Sequence, residues 1–233
     1  MIFRVGIENN NEGRTIAWAL EHPGCFAYGA NPSYACVNLE KAIQVYATWI
    51  LKNEPNTWLN FEEVDIHPEE TWEVYFIDDD LDKVEGDGYS VESFFRYDWK
   101  PLQREEVDHA LKMLAWSRMD LQKTISRLSP EKLEATYPSE RWNIHGILGH
   151  IAGAEWWYLD RLSLAFPKAD LSKDPQIRLD QSRTLLINCL PKLVGVSQVV
   201  GLDGEFWSPR KVLRRALWHE LDHIRHIQKL IQG

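Results

Sequence analysis

Histidine side chains recur near the C-terminal end of this 233-residue chain, in the string WHELDHIRHIQKL. His219 and His223 are four residues apart and His226 follows three residues later, so a helix would place all three on one face. Side chains at this spacing have Cβ atoms about 5–6 Å apart, and two such imidazoles can converge on one ion at metal–nitrogen distances of about 2.0–2.1 Å. The spacing therefore permits a divalent-metal site but does not by itself require one.

The same string also fits the H-E-x-x-H pattern of zinc hydrolases, because Glu220 directly follows the first histidine. In that alternative, Glu220 is the general base that activates water. Such a site needs a third ligand, and downstream of His223 only His226 could supply it. The alternative stays open beside a ligand that comes from an earlier helix.

His150 is the better candidate for that third ligand. It lies in the string WNIHGILGHIAGAEWWYLDRL, where Gly146, Gly149 and Gly153 remove side-chain bulk from one helix. Each glycine in a helix interior costs about 0.5–1 kcal/mol relative to alanine, so three of them indicate a packing reason. We expect them to let a neighbouring helix approach closely, which would bring His150 near the C-terminal pair.

Other side chains near these histidines are candidates for supporting roles. Tyr158, Glu220 and Asp222 carry oxygen atoms that can accept hydrogen bonds from the histidines and orient them. Aromatic residues are predicted to line a pocket above the metal: Trp156, Trp157, Tyr158 and Trp218. The alternative is that these rings are core, as aromatic residues at helical spacing usually are.

Three charged residues nearby are expected not to bind the ion. Glu155 is five positions beyond His150, which turns it away from that side chain, so we expect a hydrogen-bonded structural carboxylate. Arg214 and Arg215 are expected to form a solvated basic face near the start of the last helix, although attraction of an anionic thiol is an alternative.

The elements that must position the histidines begin beyond Pro101, where the hydrophobic pattern takes a helical period. It predicts long helices over residues 107–128, 143–164, 176–193 and 208–231. Ser129 and Ser208 each precede a proline, the order expected of an N-cap and a first-turn residue, and Asn143 is also a good N-cap. Pro191 is expected to kink or end the third helix. Four helices of this length predict a bundle.

The first hundred residues instead alternate strand and turn signals. Strands are predicted over residues 2–7, 15–20 and 25–29, with further strands over 61–66 and 72–77. Between them a helix should pack on the sheet through one apolar face, formed by Leu39, Ala42, Ile43, Tyr46, Trp49 and Ile50. The acidic residues 78–80, which precede Gly86-Asp87-Gly88, are interpreted as a solvated turn, with a cation site as the alternative.

Charge also divides the chain. Residues 1–100 contain 7 basic and 19 acidic side chains, whereas residues 101–233 contain 19 and 16. This asymmetry predicts two domains, and the acidic first half lacks the positive surface that nucleic-acid binding needs. The apolar runs are far shorter than the roughly 18 residues of a membrane span, and the three cysteines show no CxxC spacing. We therefore expect a cytoplasmic protein that binds neither nucleic acid nor a membrane.

Residues from about 105 to 233 resemble the DinB/YfiT-like superfamily of metal-binding four-helix bundles. The resemblance is carried by SRLSPEKLEATYPSERWNIHGILGHIAGAEWWYLDRL and by HELDHIRHI. It implies a three-histidine metal site at His150, His219 and His223, used by some members for thiol transfer with a low-molecular-weight thiol and by others for hydrolysis. His226 stands where a polar amide is common, so it is predicted to be a neighbour that supports the ligands, a fourth ligand or a surface residue.

The first half is similar to the HicB-like αβ fold through the string GRTIAWALEHPGCFAYGANPSYACVNLEKAIQVYATWI. Strand, Pro-Gly-Cys turn, strand and helix follow in the order of that fold, whose domains serve as antitoxin or regulatory modules. Because no basic helix-turn-helix accompanies the string, we interpret it as a fused accessory or dimerising module.

These observations predict an α+β protein of two domains, a HicB-like αβ domain over residues 1–97 and a DinB-like four-helix bundle over 104–233. The predicted function is that of a divalent-metal-dependent enzyme, a thiol S-transferase or hydrolase acting on a small electrophilic substrate. Nickel, zinc and iron all suit its imidazole ligands. The alternatives are a non-catalytic, metal-stabilised regulatory module that binds a partner or forms a homodimer, and a metal-free scaffold.

Overall fold

The computed structural model describes residues 1–77, 89–138 and 140–232. The chain forms two compact units, Met1–Lys100 with Gly201–Trp207, and Pro101–Val200 with Ser208–Gly233. The acidic residues 78–80 and the Gly86-Asp87-Gly88 turn, considered above as a solvated turn or cation site, lie outside the described residues.

The first unit is built on a mixed four-stranded sheet. Its strands are β1 (Ile2–Asn11), β2 (Arg14–Ala19), β3 (Phe26–Gly29) and β4 (Asp65–Glu73), in the order β3-β2-β1-β4. β2 is antiparallel to both β1 and β3, and β4 is parallel to β1. The first three predicted strands are confirmed. The strand predicted over residues 61–66 is wrong for residues 61–64, and the one over 72–77 is divided between β4 and β5 (Tyr75–Ile77).

Helix α1 (Pro32–Asn53) packs on β2 and β3. Asn31 begins it as an N-cap whose side chain accepts a hydrogen bond from Tyr34 N. Its buried apolar face includes Leu39, Ile43 and Ile50, as the periodicity predicts, and full burial of each contributes about 1.5–3 kcal/mol. A Cβ on Gly29 would lie 2.2 Å from Ala35 N, so only glycine permits β3 to end this close to the helix.

Two short antiparallel pairs complete the first unit. β5 pairs with β6 (Tyr89–Val91), and β7 (Val200–Leu202) pairs with β8 (Glu205–Trp207). The second hairpin was not predicted from the sequence, and its Phe206 ring lies 5.7 Å from Phe94 and 5.9 Å from Trp99. The missed signal is Asp203-Gly204, a favoured type I′ dipeptide, and both residues have positive φ, 52° and 77°.

The second unit contains four long helices among its described residues, α2 (Arg104–Ile125), α4 (Ile144–Asp160), α5 (Pro175–Cys189) and α6 (Pro209–Gln232), and the short α3 (Pro130–Glu134). α4 packs on α5 and α6, and α6 also packs on α2. One-turn 3₁₀ segments occur at Arg96–Trp99, Lys168–Asp170 and Leu190–Leu193. No helix in the described part of the chain combines the length and apolar character needed to cross a bilayer.

The predicted helix boundaries are confirmed where capping chemistry marks them. Ser129, Asn143 and Ser208 accept hydrogen bonds from the backbone N–H groups three residues later, at 3.4, 2.8 and 3.1 Å. α5 ends at Cys189 and passes into the 3₁₀ turn that contains Pro191. These caps fix where α4 and α6 begin, and both helices carry candidate ligands.

Candidate metal centre

The C-terminal histidine pair lies on the helix that the sequence predicted. In α6, His219 is 6% exposed and His223 lies one turn further along, with their Nε2 atoms 3.1 Å apart. The same helix buries Ile224 and Ile227 against the core. Burial of this apolar face restricts α6 to rotations in which the histidine pair faces inward.

His150 comes to this pair from α4. Its Nε2 atom is 3.0 Å from His219 Nε2, and the ligand atoms of His150, His219 and His223 all lie within 4.8 Å of one another. The three rings are arranged edge to face, with the His150 centroid 4.7 Å from that of His219 and 5.0 Å from that of His223. Residues far apart in the sequence are thus brought to one point.

The three nitrogens cannot satisfy one another by hydrogen bonding alone. A neutral imidazole nitrogen carries either one proton or one lone pair, but His219 Nε2 faces two other Nε2 atoms at once. An ion about 2.0–2.1 Å from each nitrogen can be shared by nitrogens up to about 4.2 Å apart. The two Nε2 separations that involve His219, 3.0 and 3.1 Å, are well below this limit, and the ligand atoms of His150 and His223 lie within 4.8 Å of each other. The donor set therefore fits a divalent ion.

The electrostatics of the site also favour the neutral form of His219 and His223, the form that binds metals. Burial, with the neighbouring His223, His150 and Arg215 side chains, lowers the pKa of His219 well below its usual value. Burial and the nearby His150 and His226 lower the pKa of His223 to about 3. A metal ion would therefore compete with few protons at neutral pH.

The Trp142 indole forms one wall of the site, a role that was not predicted from the sequence. Trp142 stacks on His150, with ring centroids 4.6 Å apart and planes at 27°, and the Arg141 guanidinium lies 4.6 Å from the Trp142 ring. A Cβ on Gly146 would lie 2.8 Å from Trp142 Cβ, so this glycine makes room for the indole. The stack restricts the orientation of the His150 ring.

The expected role of the α4 glycines is wrong. A Cβ at Gly149 or Gly153 would have no neighbour within 4 Å, so neither position is kept bare by a close helix. At Gly146 the close neighbour is Trp142, in the segment before α4, rather than another helix. The missing side chain at Gly146 therefore leaves room for Trp142 to stack on His150.

Two of the four predicted aromatic neighbours adjoin the ligands. The Tyr158 ring centroid is 6.1 Å, and that of Trp218 5.6 Å, from the His219 centroid. Trp156 is buried and its Nε1 donates to Phe166 O at 3.0 Å, which ties the segment after α4 to the helix. The Trp157 ring is covered by the Arg161 guanidinium at 4.8 Å. Their lining of a substrate pocket stays a prediction.

The predicted roles of Glu220 are contradicted. The Glu220 carboxylate is 1% exposed and accepts hydrogen bonds from Ser117 Oγ, Arg118 Nε and Arg183 Nη2, which occupy both of its oxygens. Burial alone would raise the pKa of this carboxyl, but Arg183 and Arg118 outweigh burial and lower it. The carboxylate of Glu220 is therefore engaged elsewhere, so it does not orient the histidines by accepting their hydrogen bonds, and it is not the general base of an H-E-x-x-H site.

The arginines at the start of α6 differ from expectation, and His226 keeps two of its three predicted roles. His226 Nε2 lies 2.9 Å from Glu140 Oε2, which opposes a fourth metal ligand at that nitrogen and leaves a supporting neighbour or a surface residue as predictions. Arg214 and Arg215 are 3% and 4% exposed, which contradicts a solvated basic face. By contrast, Glu155 is the hydrogen-bonded structural carboxylate that was expected, because it accepts from Arg183 Nε at 2.8 Å.

With this geometry in view, comparison with known proteins identifies the helical unit. The model of the DinB superfamily matches residues 113–227, which include all three histidines. The second unit belongs to the DinB superfamily. A protein of Oceanobacillus iheyensis, named as a candidate metal-dependent hydrolase, is 26% identical over 147 positions, covering 53% of this chain and 84% of that protein. No solved structure matches the chain.

Membership of the DinB superfamily confirms the family predicted for residues 105–233. The match begins inside α2 and ends inside α6, so it does not extend to the sheet of the first unit. The HicB-like character of that unit stays a prediction, as does the bundle architecture of the second.

Proposed function

We propose that this DinB-superfamily protein is a divalent-metal-dependent hydrolase whose ion is held by His150, His219 and His223. The observation that carries the proposal is the convergence of three Nε2 atoms from two helices, two pairs of them at 3.0 and 3.1 Å. The name of the Oceanobacillus iheyensis relative supports metal-dependent hydrolysis. Zinc, nickel and iron are the ions that this imidazole set suits.

In this proposal the three histidines bind the metal, and the neighbouring aromatic rings orient the imidazoles. The three imidazoles bind through Nε2, and their depressed basicity keeps His219 and His223 unprotonated at neutral pH. Trp142 orients His150 by stacking, and the Tyr158 and Trp218 rings close around His219. A divalent ion held by these three imidazoles would supply a Lewis acid able to activate water near neutral pH.

The substrate is proposed to be a small electrophile such as an ester or amide, attacked by the activated water. A low-molecular-weight thiol in place of water would make the same site a thiol S-transferase, which is the activity that the family resemblance also implies. The two reactions are distinguished by assaying the metal-loaded protein with and without added thiol. Product formation that depends on the thiol and yields a thioester, with release of the alcohol or amine of the substrate, would assign transfer instead of hydrolysis.

The test starts from metal content. Protein purified without a metal-affinity tag is analysed by inductively coupled plasma mass spectrometry, with His150→Gln and His219→Gln as the site variants. His145→Gln is the matched control, because His145 lies on the same helix as His150 but bonds the Glu134 carboxylate instead. Loss of metal and activity in the site variants alone supports the proposal, and unchanged metal content in them refutes it.

A second candidate function is a non-catalytic module in which the metal only stabilises the helical unit. It is favoured by exposed apolar residues on α1 of the first unit, where Tyr34, Val37 and Val45 are 63%, 51% and 64% exposed. Such a face suits a partner or a second copy of the chain. This candidate requires that chelation lowers the melting temperature while ester, amide and thiol-acceptor substrates all fail to react.

A further inference from the structure

Four charged side chains form a closed network in the core of the helical unit, here called the quartet: Arg118, Glu155, Arg183 and Glu220. Glu155, Arg183 and Glu220 are 3%, 7% and 1% exposed, and the Arg118 side chain is 13% exposed. Two arginines and two glutamates make the quartet neutral. Its members come from α2, α4, α5 and α6, so every long helix of the unit contributes one.

Arg183 connects the two helices that carry the histidines. Its Nε donates to Glu155 Oε1 on α4 at 2.8 Å, and its Nη2 donates to Glu220 Oε2 on α6 at 2.8 Å. Arg118 repeats the connection, with Nε 2.7 Å from Glu220 Oε1 and Nη2 3.5 Å from Glu155 Oε2. The Nη1 atoms of Arg118 and Arg183 donate to the backbone carbonyls of Leu179 and Leu114, whereas the contact of Arg118 Nη2 with Glu155 Oε2 is an ion pair without a hydrogen bond.

The carboxylates of the quartet lie next to the ligands in sequence. Glu220 directly follows His219, so it turns about 100° away on α6, and Glu155 is five residues beyond His150 on α4. The quartet therefore holds one face of each helix while a different face of the same helix presents a histidine. Holding the carboxylates sets the rotation at which the imidazoles meet.

Metal binding requires the ring nitrogens to be placed precisely, which favours directional contacts between the helices that carry them. A ring nitrogen about 7 Å from the helix axis moves by about 1 Å when the helix turns by 10°, whereas ligand distances in metal sites hold to within about 0.2 Å. Apolar contacts between α4 and α6 are non-directional, but charge-assisted hydrogen bonds are directional. Buried ion pairs often stabilise a fold no better than apolar residues of the same volume, so stability alone does not account for the quartet.

We infer that the quartet is the positioning device of the histidine site, with Arg183 setting the rotation of α4 and α6 so that His150, His219 and His223 share one ion. This inference rests on the proposed metal site and adds residues that touch neither metal nor substrate. It predicts that disturbing the quartet alters metal affinity and ligand geometry by more than the accompanying loss of stability would.

The experiment compares two variants of the whole chain with Co²⁺ as the probe. Arg183→Met combined with Glu155→Gln removes one charge of each sign and leaves Arg118 paired with Glu220. Leu186→Ala is the control, because Leu186 is a fully buried residue on the same helix that contributes nothing to the quartet. Measured quantities are the Co²⁺ dissociation constant, the visible spectrum of bound Co²⁺ and the melting temperature.

The quartet variant is expected to bind Co²⁺ at least about ten-fold more weakly, the loss typical of groups that orient ligands, with a changed spectrum. Leu186→Ala should lower the melting temperature but keep the wild-type spectrum and affinity. Wild-type binding by the quartet variant, or equal weakening in Leu186→Ala, overturns the inference. If the double variant does not fold, Arg183→Lys replaces it, and wild-type affinity and spectrum there overturn the inference equally. A wild-type protein that binds no Co²⁺ refutes the proposed function instead.

Discussion

The three glycines of α4 provide a sharp test of how the site is built. Alanine at Gly149 or Gly153 meets open space within 4 Å, so each change should stabilise the helix by about 0.5–1 kcal/mol through the lower conformational entropy of the unfolded chain. Alanine at Gly146 places its Cβ 2.8 Å from Trp142 Cβ and 3.2 Å from Trp142 Cγ, closer than normal packing allows. Trp142 must then move.

The two effects oppose each other at Gly146, and their sizes decide the outcome. Overpacking of this kind costs about 1–3 kcal/mol. The helix-propensity gain is at most about 1 kcal/mol, and it is reduced because Gly146 lies in the first turn, where Asn143 caps its N–H. We expect Gly146→Ala to destabilise the unit by up to about 2 kcal/mol and to displace the indole from His150.

The assay is urea unfolding followed by far-ultraviolet circular dichroism and tryptophan fluorescence, together with the Co²⁺ dissociation constant. Gly149→Ala and Gly153→Ala should shift the unfolding midpoint upward, and Gly146→Ala should shift it downward and weaken Co²⁺ binding. If Gly146→Ala stabilised the protein as much as the other two variants and bound Co²⁺ normally, the proposed role of the Trp142–His150 stack would be refuted.

Three further predictions concern pH, metal and assembly. Burial lowers the pKa of His22 to about 4, so the unfolded chain binds its proton first, and stability present above about pH 6.5 should fall by up to about 1.4 kcal/mol per pH unit towards pH 4 on account of this residue. Urea unfolding of His22→Gln should show a pH slope shallower by this amount, while the buried His219 and His223 keep their own contributions. A divalent ion at 100 times its dissociation constant should raise the free energy of unfolding by about 2.7 kcal/mol in calorimetry, and a similar rise in His223→Gln would contradict the site. If α1 mediates a homodimer, Val45→Glu should halve the mass measured by light scattering, whereas a monomeric wild type would remove that prediction.

Much of the helical unit was predictable because its signals are local. Hydrophobic periodicity and the caps at Asn143 and Ser208 depend on neighbours within one turn, so the sequence places α4 and α6 to within a few residues. The i, i+4 spacing of His219 and His223 likewise follows from helix geometry alone. The Asp203-Gly204 hairpin was equally local, and its signal was readable but overlooked.

What only the tertiary structure decided is which side chains meet across helices. Because Glu220 directly follows His219 in the sequence, it was predicted to support the metal site. Adjacent residues on a helix point about 100° apart, however, and the Glu220 carboxylate instead accepts hydrogen bonds from Arg118 and Arg183. Trp142 reaches His150 because Gly146 leaves a gap, a relation set by volume rather than by pattern. The sequence alone thus determined the helices and the type of ligand, whereas the pairing of His150 with His219 depends on helix rotation and packing, which long-range contacts fix.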